Sequence, residues 1–260
     1  MVRFVIFCVL LSLALSCFAS TNKQVSTSNS QAAAYAAQSV TAMTGGAMIT
    51  DVTLTGTVSW TAGSDEENGT ATLSASTTGE SRMDLALSSG TRTEIRDAST
   101  GKPLGKWIAQ SGASGKFAAH NCLTDAVWFF PALSSLSGGP NVVFSYVGQE
   151  TRNGAAVQHI QSHLSLPQSL GSNALPLSTV DFYLNATTLM PMAMTYNAHA
   201  DNNLLNDIPV EIDFSNYEVV GGVKVPMHVQ KYLQGSLLID LTLTNAVFNS
   251  GIALSNFSVN

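Results

Sequence analysis

The stretch VKVPMHVQKYLQGSLLIDLTLTNAV, Val223–Val247, decides the fold. Val223, Val225, Met227, Val229 and Leu233 put apolar side chains on one face of an extended chain. Leu237, Ile239, Leu241, Leu243 and Val247 repeat that alternation after Gln234-Gly235. A period of two marks half-buried strands and a short glycine-containing break marks a tight turn, so the pattern predicts a long antiparallel hairpin. A hairpin of this length belongs in a wide antiparallel sheet. One face of such a sheet is hidden from water, either by the protein's own helices or partly by an apolar guest.

The same texture extends upstream. Val52, Leu54, Val58 and Trp60 alternate with polar residues; Ala71, Leu73 and Ala75 follow, then Met83, Leu85 and Leu87, the run Thr91 to Asp97, and a strand around Trp107. These form a meander of about five strands in which hairpin neighbours pair. A different texture separates them from the C-terminal strands. Gly112 to Gly115 reads as a flexible turn, and Leu123, Ala126, Val127, Phe130 and Leu133 fall at helical spacing broken by Pro131, which predicts a short or kinked helix. Strands resume at Val142 to Thr151 and Ala155 to Leu164, joined by Asn153-Gly154, a strong hairpin dipeptide. Leu166 to Leu177 is a loop or short helix. Further strands carry Phe182 and Leu184, then Met192, Met194 and Tyr196, then Val210, Ile212 and Phe214. The expectation is a mainly β, α+β fold of about eleven strands and two or three helices, with no composition break dividing 31–260 into two domains.

At the other end, Arg3 precedes the apolar run Phe4 to Leu15, which has signal-peptide length and is too short to span a bilayer as a helix. Cleavage after Ala19 makes 1–19 a signal peptide. The alternative is acylation of Cys17, because Ala14-Leu15-Ser16-Cys17 loosely resembles a lipobox. Residues 20–30 read as a flexible Ser-rich leader, and Gln31 to Met43 as a helix ended by Gly45-Gly46. The chain is thus expected to be exported, to the periplasm or, if Cys17 is lipidated, as an outer-membrane lipoprotein.

Composition agrees with export: of 260 residues 45% are hydrophobic and only 11% charged. Loss of Arg3 with the leader leaves ten basic residues against 17 acidic ones, which disfavours nucleic acid and anionic lipid surfaces as partners. Cys8 and Cys17 lie in or beside the leader, so Cys122 has no internal disulfide partner and reads as a small core residue.

Searches for chemistry return little. No Gly-x-Ser-x-Gly elbow occurs, and Ser114 in Gly112-Ala113-Ser114-Gly115 reads as a turn residue. His159 and His163 sit in a strand-like run, where a spacing of four separates their imidazoles by about 13 Å, too far for one ion. Glu94, Asp97, Glu211 and Asp213 occupy strand-like positions, and Glu211 and Asp213, alternating with Val210, Ile212 and Phe214, most simply form a solvated face. No catalytic residue, metal site or cofactor is expected. What remains is an abundance of soft apolar side chains that suit an adaptable cavity as well as an ordinary core: Trp60, Met83, Leu85, Trp107, Trp128, Phe130, Met192, Met194 and Met227 are the candidate cavity residues.

Two stretches carry a resemblance. Arg82-Met83-Asp84-Leu85 through Gly90-Thr91-Arg92-Thr93-Glu94-Ile95-Arg96 to Gly101 and Trp107 resembles the central meander of the outer-membrane lipoprotein carrier-like (LolA/LolB-like) superfamily. So does Tyr217 through Gly222-Val223-Lys224-Val225-Pro226, followed by Tyr232, Gly235 and the closing strand. The similarity in order of elements spans about Gln31 to Asn260. It implies an incomplete antiparallel barrel wrapped over helices, with an apolar cavity that shields the acyl chains of a lipoprotein or lipid in the periplasm. The family's lid-holding arginine and membrane-inserting loop align with no position here. The resulting expectation is a monomeric, non-catalytic binding protein for lipid or lipoprotein acyl chains, associated with a membrane only if Cys17 is acylated. The rivals are a cell-envelope structural module with a closed core and an exported hydrolase.

Overall fold

The structure, a computed structural model, describes residues 28–97, 103–139, 141–165 and 175–259. The signal peptide, Cys17 and most of the Ser-rich leader lie outside the described residues. The helix expected over Gln31 to Met43 is α1, Ser30–Thr44. Its start is fixed by Asn29, whose side chain accepts from the Ala32 N–H at 3.0 Å, and its end by Gly45 in the left-handed region. Ala32, Ala36, Ser39 and Met43 form its buried face. No described helix is long and apolar enough to cross a membrane.

Thirteen strands build one antiparallel sheet. The first arm is β1 Asp51–Ala62, β2 Asp65–Ser76, β3 Ser81–Leu87, β4 Gly90–Asp97, β5 Leu104–Ile108 and β6 Ser114–Phe117. The second is β7 Val142–Arg152, β8 Ala155–Leu164, β9 Val180–Asn185, β10 Pro191–Ala200, β11 Asn203–Val220, β12 Val223–Leu233 and β13 Ser236–Phe248. Every hairpin neighbour pairs, and β1 pairs with β13, so the order is β6-β5-β4-β3-β2-β1-β13-β12-β11-β10-β9-β8-β7. Open sheets of this width curl under the accumulated strand twist. Because β6 and β7 occupy opposite edges and do not pair, the result is an incomplete barrel. The expected mainly β, incomplete antiparallel architecture is therefore present.

In detail the count is thirteen strands rather than about eleven, partly because the stretch Gly112 to Gly115, read as a turn, leads into β6 at Ser114, which pairs with β5. There is one α-helix among the described residues rather than two or three. The helix expected near Trp128 is instead three 3-10 turns at Ala119–Leu123, Pro131–Leu133 and Ser135–Ser137. Pro131 supplies no N–H at the middle of that segment, and the chain there runs between the two sheet edges instead of standing as a regular element.

The decisive hairpin is β12–β13, with Gln234 and Gly235 both at positive φ (51° and 78°), the backbone of a twist-matched two-residue turn. Two register shifts modify its alternation. One lies where Thr55 opposes Asn245 but Gly56 opposes Leu243, so Ala246 is buried and Val247 is 46% exposed. Gly56 is required there: a Cβ would sit 2.2 Å from the Thr242 carbonyl oxygen. The other shift, between Lys231 and Tyr232, leaves Lys231 opposite Ile239 and in phase with Val223, Val225, Met227 and Val229. Lys231 is consequently buried on the inner face.

Candidate ligand-binding interior

The chain leaves β6 at one edge of the sheet and re-enters at β7 on the other, so the described segment 118–139 runs across the concave face. It carries three consecutive aromatic residues across that face. Trp128, Phe129 and Phe130 are each at most 1% exposed; Trp128 and Phe129 meet edge to face at 5.7 Å and Phe130 lies 5.8 Å from Phe248 of β13. Beneath them the paired strands present a row running from Ile160 through Phe182, Met194, Ile212 and Lys231 to Ile239 and Trp60. A second row runs Leu54, Leu73, Met83, Glu94 and Trp107.

Six of the nine candidate cavity residues meet in this interior: Met83, Leu85, Trp128, Phe130, Met194 and Met227 are buried in one apolar core. Trp60 packs against that core half-buried, with the Arg92 guanidinium 5.5 Å from its ring. Trp107 is half-buried toward the β6 edge, its ring so close to Gly115 that a Cβ there would lie 2.6 Å away. Met192 also stands apart from the core, its sulfur accepting from Asn185 Nδ2 at 3.8 Å.

The crossing segment is tied to the sheet by polar groups that no sequence motif announced. Asp125 accepts from the Arg96 guanidinium of β4, from Lys231 Nζ of β12 at 2.5 Å and from the Tyr196 hydroxyl of β10. Three strands from both arms thus converge on one carboxylate. Burial pushes the Asp125 carboxyl up, but Arg96, Lys231 and the hydrogen bonds outweigh it and hold it below the usual carboxylate range. Tyr196 is pushed well above its ordinary value by burial and by the adjacent Asp125 charge. Burial disfavours the Arg96 charge, yet Asp125 and Glu94 more than offset this and raise its affinity for the proton.

Glu94 in turn accepts from Arg96 at 3.5 Å and from Arg92 at 2.8 Å. Lys231 Nζ also lies 4.7 Å from the centre of the Trp128 ring, and Arg96 4.5 Å from that of Phe117, so both cations rest on aromatic faces. A few residues earlier, Asn121 makes two bonds to the backbone of His199 in β10, donating to its carbonyl at 2.9 Å and accepting from its N–H at 2.8 Å. Cys122 is buried and free, its thiol pushed up to about 11 by burial, with Arg96 opposing.

Sequence reasoning missed Arg96, Asp125, Tyr196, Lys231 and Asn121. One signal was available: Lys231 falls in phase with the apolar face of its strand. A 480 Å³ pocket elsewhere is lined in part by Gln161, Asp181, Thr195, Asn197 and Glu211, which the register places on the outer face, opposite Ile160, Phe182, Met194 and Ile212. No cluster of three or more His, Cys, Asp or Glu side chains suited to a metal occurs among the described residues.

No family model and no curated protein matches the sequence. Solved structures do. A domain described as an outer membrane lipoprotein-sorting protein from Vibrio parahaemolyticus superposes with a TM-score of 0.56 at 10% identity, covering 88% of this chain and 96% of its own. A DUF1329 family protein from Desulfovibrio piger gives 0.54 at 9% identity, with 88% and 96% covered. What is shared is the fold. A LolA superfamily protein from Nitrosomonas europaea aligns over 87% of this chain and 97% of its own at 7% identity and a TM-score of 0.48. The first two superpositions bear out the resemblance read from 82–107 and 217–235 at the level of architecture, and at these identities it extends no further.

Proposed function

We propose that this protein is a non-catalytic binding protein for an acyl-chain-bearing ligand, a lipid or lipoprotein, acting in the cell envelope after export. The observation that carries the reading is how the apolar inner face is covered. A regular helical layer would close it permanently, whereas here much of the cover is a crossing segment of short 3-10 turns whose Trp128, Phe129 and Phe130 rings share one buried cluster with Met194 and Met83. Those rings fill the space an alkyl tail would take, so a guest enters by displacing them.

Magnitudes make the exchange feasible. Burial of an acyl chain is worth about 0.8 kcal/mol per methylene, roughly 12 kcal/mol for a chain of fifteen. Three aromatic side chains burying about 200 Å² each are worth about 15 kcal/mol on the same area scale. The two sums are of one order, which suits reversible loading. The shared fold of a domain described as lipoprotein-sorting supports the same reading.

A second reading, an envelope structural module with a closed core, draws on the complete burial of Trp128, Phe129, Phe130 and Leu136. A fluorescent fatty-acid probe added to delipidated protein separates the two. Saturable binding, weakened at least tenfold by Met194→Asp in a variant that still melts cooperatively, is expected from a carboxylate placed in that apolar row. Failure of the wild-type protein to bind the probe rejects the carrier and leaves the module.

A further inference from the structure

The inner face of the sheet is over-supplied with cations, two of them buried. Arg92 and Arg96 of β4 and Lys231 of β12 all face inward, and on the same face of β4 Glu94 pairs with both arginines. Balance comes from Asp125, which belongs to the crossing segment and not to a strand. The side chains of Arg96 and Lys231 are only 5% and 8% exposed, so neither finds water readily in place of a carboxylate. Arg96 Nε is buried without a hydrogen-bond partner even while Asp125 is docked, leaving one donor already spare.

If the crossing segment lifts to admit an acyl chain, as proposed above, Asp125 leaves with Trp128 to Phe130, three positions along the same chain. The sheet would then hold two guanidinium groups and an ammonium against one carboxylate, with the Tyr196 hydroxyl deprived of its acceptor. Stranding buried charge in this way is among the most destabilising changes a protein can undergo. A guest that brings its own anion removes the penalty, and a neutral guest does not.

We propose that the ligand is an amphiphile with an anionic headgroup, a carboxylate or phosphate, which takes the place of Asp125 between Arg96, Lys231 and Tyr196 while its alkyl tail takes the place of the Trp128, Phe129 and Phe130 rings. Asp125 is in these terms the protein's internal substitute for the headgroup. This assignment rests on the carrier reading but goes beyond it, because an acyl-chain site need not discriminate among headgroups. Carboxylate and phosphate share the bidentate geometry that a guanidinium recognises.

The test is displacement of a fluorescent fatty-acid probe from the delipidated mature protein by palmitate, hexadecyl phosphate, methyl palmitate and hexadecanol. These four share a tail length and differ at the head. The two anions are expected to compete about tenfold or more better than the two neutral compounds, in line with charge-assisted bonds to a buried site. The ratio of palmitate to hexadecyl phosphate tells which anion the site prefers. Lys231→Met is expected to narrow the preference, and Asp125→Asn to strengthen anion binding by removing the internal competitor, an effect opposite to that of a merely structural role. Equal competition by palmitate and methyl palmitate overturns the headgroup assignment while leaving the carrier reading intact. Absence of binding by all four and by the probe overturns both.

Discussion

Two carboxylates on opposite faces of the same sheet behave in opposite ways. Asp125, against the inner face, is held below the ordinary carboxylate range although it is deeply buried. Asp213 of β11, on the outer face and less enclosed, is pushed up to about 6. Burial acts in the same sense on both, so burial does not decide the outcome. The supply of cations does. Asp125 has two cations, Lys231 and an Arg96 that Glu94 shares only at 3.5 Å, whereas Asp213 sits 4.0 Å from a single cation, Arg152, which is already bonded to Glu211. The inner face carries more positive charge than its strands can neutralise and the outer patch carries less than it needs, which is the arrangement expected of an interior that receives an anion.

The largest effect that tests the contrast is Asp125→Ala. It leaves Arg96, Lys231 and Tyr196 buried and facing a void, and breaking one partner out of such a cluster costs about 3 kcal/mol or more. Urea denaturation at pH 7 is expected to show that loss. A loss below about 1 kcal/mol would mean that Asp125 does not anchor the crossing segment. The pH dependence follows the same logic. Because folding lowers this carboxyl's pKa, its contribution is fully present above the unfolded value of about 3.9 and is lost as pH falls through the lower folded value. The segment is therefore expected to stay docked until strongly acidic pH.

An intermediate effect is expected from Asn121→Ala, which removes both side-chain bonds to the His199 backbone without touching the ion cluster. Two neutral hydrogen bonds contribute about 1–2 kcal/mol together. Amide exchange should report it locally: the His199 N–H should lose protection in the variant, while amides of β12 and β13 keep theirs. Unchanged protection of His199 would show that the ion cluster fixes the segment unaided.

Most of the sheet was legible because its inner residues alternate with polar ones, and the turn at Asn153-Gly154 declared itself, with both residues at positive φ. Much of the rest was not legible, for physical reasons. On β4 the apolar Ile95 suggests that Thr93 and Ile95 face inward and Arg92, Glu94 and Arg96 outward. The reverse holds, because the C-terminal 3-10 turn Leu254–Phe257 lies over β3 and β4 and covers their outer face, with Phe257 fully buried. A residue some 160 positions downstream thus inverts a local pattern. On β13 the extra residue at the Gly56 bulge turns Val247 out and Ala246 in, and a bulge leaves no mark in the periodicity until the partner strand is known. The lysine at 231 was readable from phase, but its acceptor Asp125 lies 106 residues away, and no spacing rule connects the two.

The smallest expected effect completes the contrast from the outer face. Asp213 has a folded pKa raised above its unfolded value by burial first and the Glu211 charge second, with Arg152 opposing. Between about pH 4 and pH 6 the folded state holds more protons at this site than the unfolded chain, so stability falls as pH rises through that window. At pH 7.5 the deprotonated carboxyl is therefore a net burden. Asp213→Asn removes the charge and keeps the shape. With 29% of the side chain exposed, solvent screening reduces the gain to about 1 kcal/mol. The melting temperature should rise by a few degrees at pH 7.5, and the difference from wild type should vanish by pH 4, where Asp213 is already neutral. A variant less stable than wild type at pH 7.5 would show that Arg152 neutralises both carboxylates, and the distinction drawn between the two faces would fail on its outer side.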